Sequence, residues 1–105
     1  MERTLKQLWE AVRQDFDRAR SLLPARPAQV EGSLDRLREW LGHNELELAL
    51  DELESLGEDN PAPPKFWEAL RSAAERMGLA ERADRLGRRA AGDAEPDAAP
   101  DRPRD

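Results

Sequence analysis

Between Leu34 and Gly57 the chain writes one pattern twice. Leu34, Leu37 and Leu41 recur at spacings of three and four, and Leu46, Ala49, Leu50, Leu53 and Leu56 do the same. This spacing lines up apolar groups on one face of a helix, whereas in a strand they would be split between both faces. Only Gly42, His43 and Asn44 break the two runs. So short a connection folds the second helix back against the first as an antiparallel hairpin, and the remaining segments must supply helical faces to cover it.

Those segments read the same way. Thr4 to Leu23 carries Leu5, Leu8, Trp9, Val12, Phe16, Ala19, Leu22 and Leu23 at helical spacing, with Thr4 and Gln7 in capping-box register and Pro24 and Pro27 ending the helix. Val30 and Ser33 precede the second helix, where Ser33 is the expected N-cap and Val30 extends the Leu34, Leu37 and Leu41 stripe with Trp40 on its flank. Gly42 is the expected left-handed stop. Asn44 is the expected cap of the third helix, with Glu47 at the matching capping-box position, and Gly57 is its expected end. Glu58 to Pro64 reads as a proline-stiffened loop. A fourth helix spans Pro64 to Met77, with Phe66, Trp67, Leu70, Ala73, Ala74 and Met77 inward and Gly78 breaking it; a fifth spans Ala80 to Ala90, inward at Leu79, Ala83 and Leu86. Isoleucine and tyrosine are absent, so the β-forming residues a sheet wants are scarce. The expectation is an all-α bundle of about five helices over residues 1–90, followed by a disordered tail over 91–105 that has no large apolar residue.

Composition narrows function by exclusion. A formal charge of −6 disfavours a dedicated nucleic-acid binder, and zero cysteines remove thiol chemistry and disulfides. No apolar run is long enough to span a membrane and no signal-peptide core is visible, so a cytoplasmic protein is expected. No cofactor loop or nucleophile elbow occurs. The single histidine, His43, lies four residues after Glu39, but Gly42 intervenes, so neither a catalytic nor a metal site is expected. Trp9, Trp40 and Trp67 all lie on or beside helical stripes and read as core.

The charge is unevenly placed. Residues 44–64 hold Glu45, Glu47, Asp51, Glu52, Glu54, Glu58 and Asp59 and no basic residue. At about 100° per residue from Leu46, Glu47, Asp51, Glu54 and Glu58 form one ladder between about 80° and 140°. Like charges at such spacing each cost an isolated helix about 0.2–0.5 kcal/mol. Either Arg71, Arg76, Arg82 or Arg85 supplies the missing cations, or the ladder faces solvent and a partner. Arg82, Arg85 and Arg89 form a basic ridge on the fifth helix that reads as a solvated face. Leu48, near 200° on the same wheel, either packs under the first helix or is an apolar contact within an acidic interface.

The run Arg38 to Asn60, REWLGHNELELALDELESLGEDN, followed by PKFWEALRSAAERMGL, resembles the MafI-type immunity proteins of bacterial polymorphic toxin systems at Leu41, Asn44, Glu45, Ala49, Glu52, Leu53, Met77, Gly78 and Leu79. The resemblance implies a small cytoplasmic protein, not an enzyme, that binds and neutralises a cognate toxin domain. Glu45, Glu47, Leu48, Asp51, Glu52, Glu54, Glu58 and Asp59 are then the expected contact residues, suited to a basic toxin such as a nuclease. The stretch from Gly42 to Leu50, ending at Asn60-Pro61, is also similar to the second half of a tetratricopeptide repeat, although no second copy recurs at that period. A helical adaptor, possible as a homodimer, is the alternative.

Overall fold

The computed structural model describes residues 5–92. Five helices follow one another: α1 (Leu5–Ser21), α2 (Leu34–Gly42), α3 (Leu46–Asp59), α4 (Pro64–Arg76) and α5 (Ala80–Ala90), and the described residues contain no strand. Helices α1, α3 and α4 pack on one another as a three-helix core, while the backbone of α2 runs close to that of α3 alone and the backbone of α5 close to that of α4 alone. The backbones of α3 and α5 nowhere bring Cα atoms within 8 Å, and neither do α1 and α2 or α2 and α4. The start of α2 lies beside Glu52 and its end joins the start of α3, so the two helices form the expected antiparallel pair.

The core is the sequence stripes brought together. Val12, Phe16 and Ala19 of α1 meet Leu50, Leu53 and Leu56 of α3 and Phe66, Leu70, Ala73 and Ala74 of α4 in one buried cluster. Burying each large member contributes about 1.5–3 kcal/mol, and the alanines let helix axes approach. Phe66 and Trp67 meet edge to face with centroids 4.9 Å apart. Ser33 caps α2 as expected, its hydroxyl accepting from Arg36 N–H at 3.2 Å.

Three local expectations are corrected. Gly42 does not stop α2 in a left-handed conformation; it stays helical, and Asn44 takes the positive φ of 58° instead. Glu45 N–H donates to Trp40 C=O (2.8 Å) and Asn44 N–H to Leu41 C=O (3.1 Å), a Schellman closure with asparagine at its left-handed position. Asn44 is thereby used to end α2 and does not cap α3, whose N-cap is Glu45 without a side-chain bond. Arg13 of α1 donates to Leu41 C=O and to Asn44 Oδ1, so a tertiary contact holds the turn. Gly57 does not end α3. It is a close-packing site, where a Cβ would lie 2.7 Å from Trp67 Cη2, and the helix continues through Glu58 and Asp59. Gly78 ends α4 as expected, at φ 78° with Leu79 N–H donating to Ala74 C=O at 2.9 Å.

Val30 is 78% exposed and does not extend the α2 stripe. Trp67 is buried and Trp40 half-buried, but Trp9 is exposed, contrary to its reading as core. Ala91 and Gly92 close α5, with Gly92 N–H donating to Arg89 C=O, and so belong to the domain. The Thr4 capping box and the tail from residue 93 lie outside the described residues.

Candidate functional site

The acidic helix α3 has two flanks with different chemistry. On the flank toward α5, the ladder is met by the basic ridge. Arg82 Nε donates to Glu54 Oε2 at 2.8 Å, and the same guanidinium pairs with Asp51 and reaches Glu47 at 3.9 Å. Arg85 adds a weaker contact to Glu54 at 3.4 Å. Arg89 pairs with Glu58, with Nη2 to Oε1 at 3.1 Å, while its guanidinium lies 4.3 Å from the Trp67 ring centroid. The ridge is therefore turned toward α3, not simply solvated. Of the arginines weighed from sequence, Arg82 and Arg85 serve the ladder. Arg71 pairs instead with Glu75 at 3.2 Å and Arg76 with Asp15 at 2.8 Å.

Burial raises the Glu54 carboxyl above its ordinary value, a push that outweighs the nearby Arg85 cation acting the other way. Arg82 is drawn down by burial and by Arg85, yet a guanidinium starts so high that it stays cationic. The guanidiniums of Arg82, Arg85 and Arg89 face the four carboxylates of Glu47, Asp51, Glu54 and Glu58, which leaves the ladder flank one positive charge short. A groove of about 410 Å³, lined by Glu47, Leu79, Ala80, Glu81, Arg82 and Arg85, runs between the two helices.

The flank toward α2 is closed. Glu52, expected at a partner surface, is 7% exposed and saturated within the chain. Its carboxylate accepts from Ser33 N–H (2.8 Å), Trp40 Nε1–H (3.1 Å), and Arg36 Nε–H (3.2 Å) and Nη2–H (3.1 Å). Asp59 accepts from the backbone N–H groups of Val30 (2.9 Å), Glu31 (3.0 Å) and Gly32 (2.9 Å). Those bonds, Gly32 first, hold its carboxyl below the ordinary range. Asn60 completes the clamp, accepting from Ala28 N–H at 2.8 Å and donating to Leu56 C=O at 2.8 Å. Glu52 and Asp59 thus tie α2 and its leading loop to α3. Burial closes Glu52 to a partner, contrary to its expected role, whereas Asp59 stays partly exposed while it serves its internal donors.

Glu45 and Leu48 face outward, and Leu48 is 39% exposed, so it does not pack under α1. Asp15 was missed from sequence. It lies on the inner stripe of α1, 1% exposed, joined to Arg18 (2.9 Å) and Arg76 (2.8 Å). Its signal was legible: an acid between Val12 and Phe16 on a core face must carry a cation with it. His43 is exposed at the end of α2, and among the described residues no group of His, Asp or Glu is placed to hold a metal ion. No helix among them is long and apolar enough to cross a membrane. Comparison of the chain with protein-family models, curated proteins and solved structures finds no match.

Proposed function

We propose that this chain is a non-enzymatic immunity protein that binds and neutralises a cognate toxin domain. Its contact surface is the outer face of α3, formed by Glu45, Glu47, Leu48, Asp51 and Glu58. The observation that carries the reading is the unequal sharing at Arg82. One cation serves Glu47, Asp51 and Glu54, and the Glu47 and Asp51 side chains remain 65% and 52% exposed beside the exposed Leu48. Half-open carboxylates around an apolar contact suit a partner that brings lysine or arginine, as the cleft of a basic nuclease would. Such a surface speeds encounter by long-range attraction and weakens with salt. The resemblance of Arg38–Leu79 to MafI-type immunity proteins points the same way, and binding across a cleft needs no catalytic group in this chain.

The adaptor alternative has less support. Tetratricopeptide hairpins stack on their neighbours, whereas α2 and α4 do not approach each other. The test is affinity capture from the native host read by mass spectrometry, with Glu47→Lys/Asp51→Lys/Glu58→Lys as comparator. A single dominant basic toxin domain that is lost on charge reversal supports the reading. A partner set indifferent to the reversal, or self-association alone, overturns it.

A further inference from the structure

Helices α1 and α2 both pack on α3, yet none of their own Cα atoms come within 8 Å of each other. The seam between them holds a slot of about 130 Å³. Its floor is apolar: Phe16, Leu37 and Leu53 are buried there, and Leu34 and Leu41 form half-buried walls. The charged lining is Asp17 and Arg20 of α1 and Arg38 of α2. Arg38 is already paired with Asp35, at 2.6 Å. Asp17 and Arg20 are not. An acid and an arginine three residues apart on a helix ordinarily pair with each other. Here neither side chain makes an ion pair or hydrogen bond among the described residues, although both border the slot. Arg20 is also half-buried, so its guanidinium has lost water without gaining an acceptor.

We propose that this slot binds a free aliphatic α-amino acid of the size of leucine. The side chain fills the hollow over Phe16, Leu37 and Leu53, the carboxylate meets Arg20, and the ammonium meets Asp17. Size supports the side chain. An apolar cavity of about 150 Å³ takes one benzene, so a slot of this volume suits a branched chain of about four carbons. Charge supports the zwitterion, whose two groups are both ionised at neutral pH and answer both unpaired residues at once. A plain carboxylate would face Asp17 with no cation, and a plain amine would face Arg20 with no anion. An internal leucine of a protein partner carries amides where the free amino acid carries charges, so it satisfies neither. The slot shares no residue with the acidic ladder, and the proposal does not depend on the function proposed above.

Titration of the full chain, followed by amide NMR, tests this. L-Leucine should shift the signals of residues 16–20, 34–41 and 53 together, with half-saturation at about a millimolar, the range open to so small a ligand. Isocaproate lacks the ammonium, isoamylamine lacks the carboxylate and alanine lacks the chain, so each should bind at least about fivefold more weakly. Asp17→Asn and Arg20→Gln should fold as the parent does, because neither side chain has a partner to lose. Asp17→Asn should bind leucine and isocaproate alike, and Arg20→Gln should bind leucine and isoamylamine alike. No saturable shift up to about 50 mM leucine overturns the site, as does equal binding of leucine and its truncated analogues by the unaltered protein. Binding of N-acetyl-leucine amide as tightly as leucine would make the slot a contact for a protein side chain and overturn the proposal too. If either variant does not fold, the ranking of these ligands on the unaltered protein decides.

Discussion

The two flanks of α3 carry carboxylates of the same kind a few residues apart and use them in opposite ways. Toward α2, Glu52 and Asp59 each meet dedicated donors: backbone N–H groups, an indole N–H and, for Glu52, one guanidinium. Toward α5, the Arg82 guanidinium is divided among Glu47, Asp51 and Glu54, with a weaker contact from Arg85 to Glu54, beside an open groove. The difference teaches that the number of acids on a helix says little about their worth. A buried carboxylate such as Glu52 is hard to replace, because removing it strands every donor it serves. A half-exposed pair gains little Coulomb energy and loses most of that to salt.

Substitutions can break or sharpen this contrast. The largest effect is expected at Glu52→Ala, which leaves Ser33 N–H, Trp40 Nε1–H and Arg36 without their acceptor. It should cost about 2–4 kcal/mol in denaturant unfolding, with Glu52→Gln retaining part of it. A loss no greater than that of Glu47→Ala would erase the distinction between flanks.

Asp59→Asn comes next. It should lower the melting temperature and speed exchange over residues 28–33, and it should also flatten the acid limb of stability. The folded Asp59 carboxyl is held low, so its stabilisation is complete above the unfolded value and is lost as pH falls through the folded one. A variant with the same acid limb as the parent would show that the loop clamp does not depend on the charge.

Arg82→Gln should cost about 1 kcal/mol at low salt and less at about 0.5 M sodium chloride, where its half-exposed pairs with Glu47 and Asp51 are screened and its covered pair with Glu54 is not. A salt-independent loss would make Arg82 a packing element and place the α5 flank with its counterpart. The smallest effect is expected at Glu54→Gln, within about 0.5 kcal/mol at neutral pH. Its pH signature is opposite to that of Asp59. The folded Glu54 carboxyl is raised, so its contribution is present below the unfolded value and is lost as pH rises through the folded one. Removing it should flatten stability in the mildly acidic range, and an unchanged slope there would refute the assigned burial.

Much of the fold was legible. The inner faces of α1, α3 and α4 follow from spacing, and Ser33 and Gly78 act as their local chemistry requires. The misread positions share a cause. Asn44 suits both the left-handed end of one helix and the cap of the next, and the Schellman bonds with the Arg13 contact chose the former. Gly57 looks like a terminator in isolation, yet it is small because α4 crosses there. At the candidate site, the ladder and its need for cations were readable from like-charge spacing, as was the pool of arginines. Which arginines answer was not, since Arg71 and Arg76 found acids elsewhere.

The sequence by itself determined the helical class, the inner stripes and the concentration of acid on α3, because all three depend on the local period of one helix. Only the tertiary structure decided which acids lie inside. Measured at about 100° per residue, Glu52 and the ladder acids stand on either side of the same apolar stripe, at comparable angles from its centre. A helix wheel has no means of telling one flank from the other. The docking of α2 with its indole and backbone donors on one side, and of α5 with its shared guanidinium on the other, made Glu52 and Asp59 structural and left the ladder half open.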